Sequence, residues 1–260
     1  IGVTGVQTCA LPILEVIFAL DVSQSMLAQD VQPSRLERSK LLISTLAERM
    51  PNNKIGLNIF AGEAYPILPL TNDLVSANLF LDQISTDMVS LQGTNLGAAI
   101  RLADKSFSNN KKVGKAIVVI TDGENHEEGA VDAARLAANS GKHVFVLGVG
   151  STSGAQIPTS EGILTDNSGA VVKTALNEEA CIELAQAGKG QFFHVDGTNS
   201  AQEQLQQVLS QLQEAESSYT NNSAPNELFP WIASLLLIIL LLELFFAERQ
   251  QNWWRKFSFL

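Results

Sequence analysis

The feature that most constrains this chain is the regular return of short apolar runs between stretches of helical period. Residues 14–20 form an almost unbroken apolar run that stops at Asp21, the pattern of a strand buried on both faces of a parallel sheet. Residues 54–60, residues 115–121 with their Ala-Ile-Val-Val-Ile centre, residues 142–149 and residues 191–195 repeat that pattern. Residues 65–70 contain Pro66 and Pro69, which cannot serve a central ladder, so they read as a short edge strand. Between the runs, Ser34 and Glu37 make a capping box that opens a helix reaching about Met50, with Leu36, Ile43, Leu46 and Met50 along one face. Further helices are expected over residues 73–84, 95–107, 128–139 (closed by Gly141), 177–188 and 200–216. Such a succession predicts an α/β fold, a doubly wound and mostly parallel sheet flanked by helices. Ligands of such sheets sit at the carboxyl ends of the strands, at the topological switch point. The pattern breaks over residues 154–174, where Ile163-Leu164 and Val171-Val172 flank Asp166-Asn167-Ser168-Gly169, the signature of a β-hairpin outside the main sheet.

Both ends of the chain read differently. Residues 3–13 match the translation of a common sequencing adapter, so residues 1–13 are expected to be a sequencing artefact, with the natural chain beginning near Leu14 and lacking its upstream part. That leaves Cys181 as the single cysteine, read as a buried thiol on the apolar side of a helix. After residue 216 a Ser/Asn-rich linker is expected over 217–227, followed by an almost wholly apolar segment over 228–247. At ~1.5 Å per residue that segment measures roughly 30 Å, the thickness of a hydrocarbon core. Trp231 before it and Trp253 and Trp254 after it suit aromatic belts. The linker carries no Lys or Arg, whereas Arg249, Arg255 and Lys256 follow the segment, so residues 248–260 are expected to be a cytoplasmic tail and the α/β domain (residues 14–216) to lie outside. The net charge of −10 argues against nucleic acid as a partner.

Three short motifs map to the same edge of the sheet. The first strand runs into Asp21-Val22-Ser23-Gln24-Ser25, a D-x-S-x-S; Gly93-Thr94-Asn95 opens a helix; and Thr121-Asp122-Gly123 follows a central strand. Carboxylates and hydroxyls are hard oxygen donors, and a small site with two carboxylates suits Mg²⁺, or another divalent cation such as Mn²⁺ or Ca²⁺. Glu63 and His126 lie on loops that would rim such a site, and none of the three histidines has zinc-type spacing.

Together Asp21, Ser23, Ser25, Thr94 and Asp122 resemble the metal-ion-dependent adhesion site of von Willebrand factor A domains, with all five motif positions present across residues 14–216. The resemblance implies a Rossmann-like fold and direct metal ligation by Ser23, Ser25 and Thr94. Asp21 and Asp122 would act mostly through bound water or by switching, and a sixth position would await a carboxylate from the partner. The stretches over residues 21–38, 55–65 and 121–127 narrow the likeness to the bacterial aerotolerance (Bat) membrane proteins, the BatB type most of all. That family implies membrane helices on both sides of the domain. It also implies association with other Bat proteins, a MoxR-type AAA+ ATPase system and tetratricopeptide-repeat proteins.

The leading expectation is a membrane-anchored, non-enzymatic module of the bacterial inner membrane with its domain on the periplasmic side. Its site would bind an acidic residue of a protein partner through Mg²⁺ in assembly or maturation of an envelope complex. The alternatives are a Mg²⁺-dependent hydrolase and a structural domain whose metal stabilises the fold. A phosphatase of the doubly wound kind would want a second carboxylate two residues after its aspartate nucleophile, where this chain has Ser23. A Walker A loop, a G-x-S-x-G elbow and a Cys/His pair are all absent from the sequence.

Overall fold

The computed structural model describes residues 14–110, 113–124, 129–159, 162–166, 168–222 and 231–242. In chain order the elements are β1 (Leu14–Asp21), α1 (Arg35–Glu48), β2 (Lys54–Phe60), β3 (Ala64–Thr71), α2 (Leu74–Gln83), α3 (Leu96–Ser106), β4 (Gly114–Thr121), α4 (Ala130–Asn139) and β5 (His143–Val149). There follow the two-residue strands β6 (Ala155–Gln156), β7 (Pro158–Thr159), β8 (Gly162–Ile163) and β9 (Lys173–Thr174), then α5 (Glu178–Ala187), β10 (Phe192–Val195) and α6 (Ser200–Asn222). Two 3₁₀ turns, Gln24–Leu27 and Thr86–Met88, complete the described elements of the domain.

The six long strands form one sheet in the order β10-β5-β4-β1-β2-β3. Every pair is parallel except β2 with β3. The strand order reverses between β1 and β4, which makes their carboxyl ends the switch point. The proline-bearing β3 takes the edge, and its register with β2 shifts around Leu57.

Alternation along the strands builds two cores, because successive side chains point to opposite faces. Leu14, Val16, Phe18 and Leu20 of β1 join residues of α1, α2 and α6 on one face. Ile17 and Ala19 join residues of α3, α4 and α5 on the other. Each fully buried Leu, Ile or Phe contributes about 1.5–3 kcal/mol, so a strand lined on both faces is strongly fixed in register. Glu15, the one polar break in the run, is also buried, and its carboxylate accepts a hydrogen bond from the Ser108 amide at 3.1 Å. This answers the desolvation it suffers.

Helix starts follow their caps. Ser34 Oγ accepts from the Glu37 amide at 3.2 Å to open α1, while the Glu37 carboxylate pairs with Lys40. The helix stops at Glu48, short of the expected Met50, since Pro51 disfavours helical backbone in the residue before it. At the other end of the domain, α6 runs on through Asn222, where the sequence suggested a linker from residue 217. Ser and Asn are weak helix formers, yet residues 217–222 contain neither proline nor glycine to break the helix. The segment after β5 forms two successive hairpins where one was expected. β7 pairs with β8, Thr165 bridges Val171, and the β6–β9 pair closes the base, all outside the six-stranded sheet.

Residues 231–242, in a separate unit of the chain, are helical with every side chain exposed. Among the described residues, no helix is long and apolar enough to cross a membrane. The remainder of the expected anchor and the tail, residues 228–230 and 243–260, lies outside the described residues, as do residues 1–13.

Candidate metal centre

Two of the motifs are carried to the switch point by strand ends, and the third by the loop that leads into α3. β1 finishes at Asp21, opposite Phe60 of β2, and the Val22 amide donates to the Phe60 carbonyl at 2.8 Å, holding the chain as it leaves the sheet. The Asp21 side chain is wholly buried. Its Oδ1 accepts from the Ser23 amide at 2.9 Å and its Oδ2 from the Thr121 hydroxyl at 2.7 Å, which ties the end of β1 to the end of β4. Ser23 sits at the start of the 3₁₀ turn with extended backbone, the place where a serine usually caps. Its side chain does not cap; instead Ser23 Oγ and Ser25 Oγ share a hydrogen bond at 2.9 Å. Both hydroxyls are buried at the mouth of the sheet.

Asp122 follows β4 and is also wholly buried. Its Oδ1 accepts from the Glu124 amide at 3.2 Å. Its Oδ2 accepts from Arg35 Nη1 at 3.0 Å and from the Thr174 hydroxyl at 3.3 Å. Gly123 next to it has φ +74°, and a Cβ there would stand 2.6 Å from Cys181 Sγ and 2.7 Å from the Asn177 carbonyl oxygen, so α5 presses directly on this turn. Thr94 comes from the far side of β1. Gly93, at φ +117°, turns the chain, and the Asn95 amide donates to Ala61 O at 2.7 Å just past the end of β2. Asn95 Oδ1 then accepts from the Ala98 amide at 2.8 Å to cap α3. Thr94 is thereby buried at the same edge of the sheet as the other four positions.

Glu63 lies exposed on the turn after β2, also at this edge, and its carboxylate accepts a hydrogen bond from the Tyr65 hydroxyl. His126 lies outside the described residues.

Sequence reasoning passed over the residues behind Asp122. Arg35, the first residue of α1, is completely buried. It grips Asp30 with both ends of its fork, Nε to Oδ1 at 2.8 Å and Nη2 to Oδ2 at 2.7 Å, while Nη1 reaches Asp122 and, at 3.0 Å, Thr174 Oγ1. Asp30 Oδ2 also accepts from the Ser151 amide at 2.7 Å. A signal was present in the sequence: a cation in the first turn of a helix opposes the helix dipole, which suggests that it is held by something else.

The electrostatics of this cluster are lopsided. Burial, reinforced by the charge of Asp122, raises the Asp21 carboxyl to about 7. Burial also works against the Asp30 carboxylate, but Arg35 and the Ser151 amide hold it below the usual range. If all are ionised, the three carboxylates of Asp21, Asp30 and Asp122 face one guanidinium and leave two negative charges in a buried place. The donors at hand are carboxylate and hydroxyl oxygens. The neighbouring Cys181 thiol is pushed up to about 12, first by burial and then by Asp122, so it contributes no thiolate. An oxygen-only set of two buried carboxylates and three hydroxyls fits a hard divalent cation.

A family model described as von Willebrand factor type A domain matches residues 16–124. The chain is 52% identical to BatB from Bacteroides thetaiotaomicron, described as a conserved hypothetical protein, with TM-score 0.76, covering 77% of this chain and 99% of that one. It is also 52% identical, with TM-score 0.74, to an aerotolerance-related membrane protein from Bacteroides fragilis, covering 76% of this chain and 99% of the other. An uncharacterized protein of Borreliella burgdorferi is 33% identical over 141 residues, 53% of this chain and 41% of that protein. The chain spans about half the length of the curated relatives it matches.

Proposed function

The chain belongs to the von Willebrand factor type A family, alongside the BatB-type aerotolerance-related proteins, and from that premise we propose that it is a membrane-anchored module that binds a partner protein through a divalent cation. The observation that carries this reading is the buried oxygen cluster at the switch point, the carboxylates of Asp21 and Asp122 with the hydroxyls of Ser23, Ser25 and Thr94. Ser23, Ser25 and Thr94 would supply ligand oxygens, with Asp21 and Asp122 acting mostly through water. Mg²⁺ suits the set best, with Mn²⁺ and Ca²⁺ as alternatives. When bound, the cation supplies a Lewis-acidic point of attachment for an acidic side chain of the partner. The chain's own groups do the rest. Thr121 and the Ser23 amide orient Asp21, and Arg35 orients Asp122.

The surface beside the site favours a partner whose carboxylate has an apolar neighbour. Met88 and Leu91 are 44% and 55% exposed on the loop that leads to Thr94. That loop touches the Gln24–Leu27 turn through the Thr86–Met88 turn, and Gly62 lies so close that a Cβ there would meet Leu91 Cγ at 2.7 Å. Binding is preferred to a Mg²⁺-dependent hydrolase because the position two residues after Asp21 holds a serine whose hydroxyl is engaged with Ser25. The test is capture of partners from membranes of the source organism by the full chain, in Mg²⁺ and in EDTA, with Ser23→Ala as control. Capture that needs Mg²⁺ and Ser23 supports the reading. Capture indifferent to both sinks it, and if EDTA lowers the melting temperature without changing capture, the metal serves the fold alone.

The anchor in this proposal is residues 228–247, crossing the bacterial inner membrane with Arg249, Arg255 and Lys256 on the cytoplasmic side and the domain on the periplasmic side. The description of the Bacteroides fragilis relative as a membrane protein supports membrane association. An introduced thiol at Asn222 should react with an impermeant reagent in intact cells and one at Gln251 should not; the reverse pattern inverts the topology. The proposed setting is assembly or maturation of an envelope complex together with other Bat proteins, a MoxR-type AAA+ ATPase system and tetratricopeptide-repeat proteins.

A further inference from the structure

We infer that Arg35 and Thr174 are positioning residues for the metal site, and that through them cation binding is coupled to the ordering of the two-hairpin excursion over residues 155–174; this rests on the metal-dependent reading above. The geometry is specific. Thr174 is the last residue of β9, the strand that closes the base of the excursion, and it is 1% exposed. Its hydroxyl accepts from Arg35 Nη1 at 3.0 Å and donates to Asp122 Oδ2 at 3.3 Å, so a single oxygen joins the excursion to both. Arg35 Nη2 also reaches the Thr174 carbonyl at 3.4 Å. The start of the excursion is held by the same group, because Asp30, clamped by Arg35, accepts from the Ser151 amide at 2.7 Å.

Among the described residues, Arg35 and Thr174 are the groups that hold Asp122 Oδ2. Arg35 cannot shift to follow it, since a Cβ on Gly150 would stand 2.6 Å from both the guanidinium carbon and Nε, which shows how closely the backbone after β5 lies against the guanidinium. A cation placed by Asp122 therefore also favours the Thr174 position that keeps Arg35 in place. Reciprocity of linked equilibria requires that a fixed excursion favour the cation. A partner that touched the exposed hairpins would change metal affinity, although the hairpins themselves supply no ligand.

The experiment uses the full chain with Mn²⁺ as probe, in wild type and in Thr174→Val, Thr174→Ser and Asp21→Ala. Titration calorimetry gives the affinity, and hydrogen exchange with and without Mn²⁺ follows the amides of residues 151–159 and 173–175. Expected in the wild type is metal uptake that slows exchange at the base of the excursion. Thr174→Val should weaken Mn²⁺ about fivefold, the worth of one ordinary hydrogen bond, and should abolish the metal-dependent protection. Thr174→Ser should restore both, which a loss of stability alone would not produce. If the wild type binds Mn²⁺ and Thr174→Val binds it equally well, or if protection at the base is independent of metal, this inference falls and the metal site stands. A wild type that takes up no more Mn²⁺ than Asp21→Ala overturns both.

Discussion

The segment after β1 delivers Asp21, Ser23 and Ser25 to the switch point within five residues of one strand end, whereas the segment after β5 passes through two hairpins before it delivers Thr174. The first combines local bonds, Ser23 N to Asp21 and Ser23 to Ser25, each two residues apart, with anchors on the neighbouring strands at Thr121 and Phe60. The second is held by contacts across 139 residues, from Arg35 to Thr174. One loop adds short-range bonds of its own to its anchors on the sheet, and the other is fixed at its base by Arg35 from across the molecule. The two should therefore fail differently when perturbed.

The largest effect is expected at the group they share. Arg35→Met would leave part-buried Asp30 and buried Asp122 without their cation and should destabilise the domain by about 3–5 kcal/mol in chemical denaturation. A loss under 1 kcal/mol would mean that the cluster rearranges freely and that the contrast between the loops is empty. Next comes Gly150→Ala, which places a methyl against the guanidinium at φ +124°, a conformation that L side chains rarely adopt. It should cost about 1–3 kcal/mol and lower the melting temperature, with exchange rising in residues 151–175 before residues 21–27.

Acid should then separate the loops. Asp30 is held below its unfolded value, which lies near pH ~3.9. Its contribution is therefore complete above that value and is lost as pH falls through the lower folded value. Asp30→Asn should flatten this acid limb of the stability curve, and an unchanged limb would remove Asp30 from the account. The smallest effect belongs to β8, the returning strand of the first hairpin. Ile163 is 48% exposed, and Ile163→Ser should alter stability by no more than about 0.5 kcal/mol in the same denaturation assay. A larger loss would show that β8 is packed in solution and that the excursion is more than its base.

What was legible in the sequence follows the same division. The strands were readable because burial on both faces leaves near-continuous apolar runs, and β3 was placed at an edge by two prolines. Asp21, Ser23, Ser25, Thr94 and Asp122 were readable as short motifs at strand ends, and the fold carries all five to one edge of the sheet. Arg35, Asp30 and Thr174 were not readable as a group. Arg35 lies 87 residues from Asp122 and 139 from Thr174, and no periodicity links positions so far apart. The second hairpin was missed because β7 and β8 are two residues each, too short for an alternating pattern.

The β6–β9 pairing has a further consequence. Its two residue pairs, Ala155 with Thr174 and Gln156 with Lys173, close the excursion where it leaves the domain. That makes it a seam at which the loop can be exchanged. Doubling the length of a flexible loop costs only about 0.6 kcal/mol in closure entropy. A foreign epitope, a fluorophore-bearing peptide or a binding hairpin grafted between Ile157 and Val172 would thus leave Thr174 where it is. The grafted sequence would acquire a mechanical line to Asp122, and the domain could serve as a scaffold in which an inserted reporter feels the loading of a site it never touches.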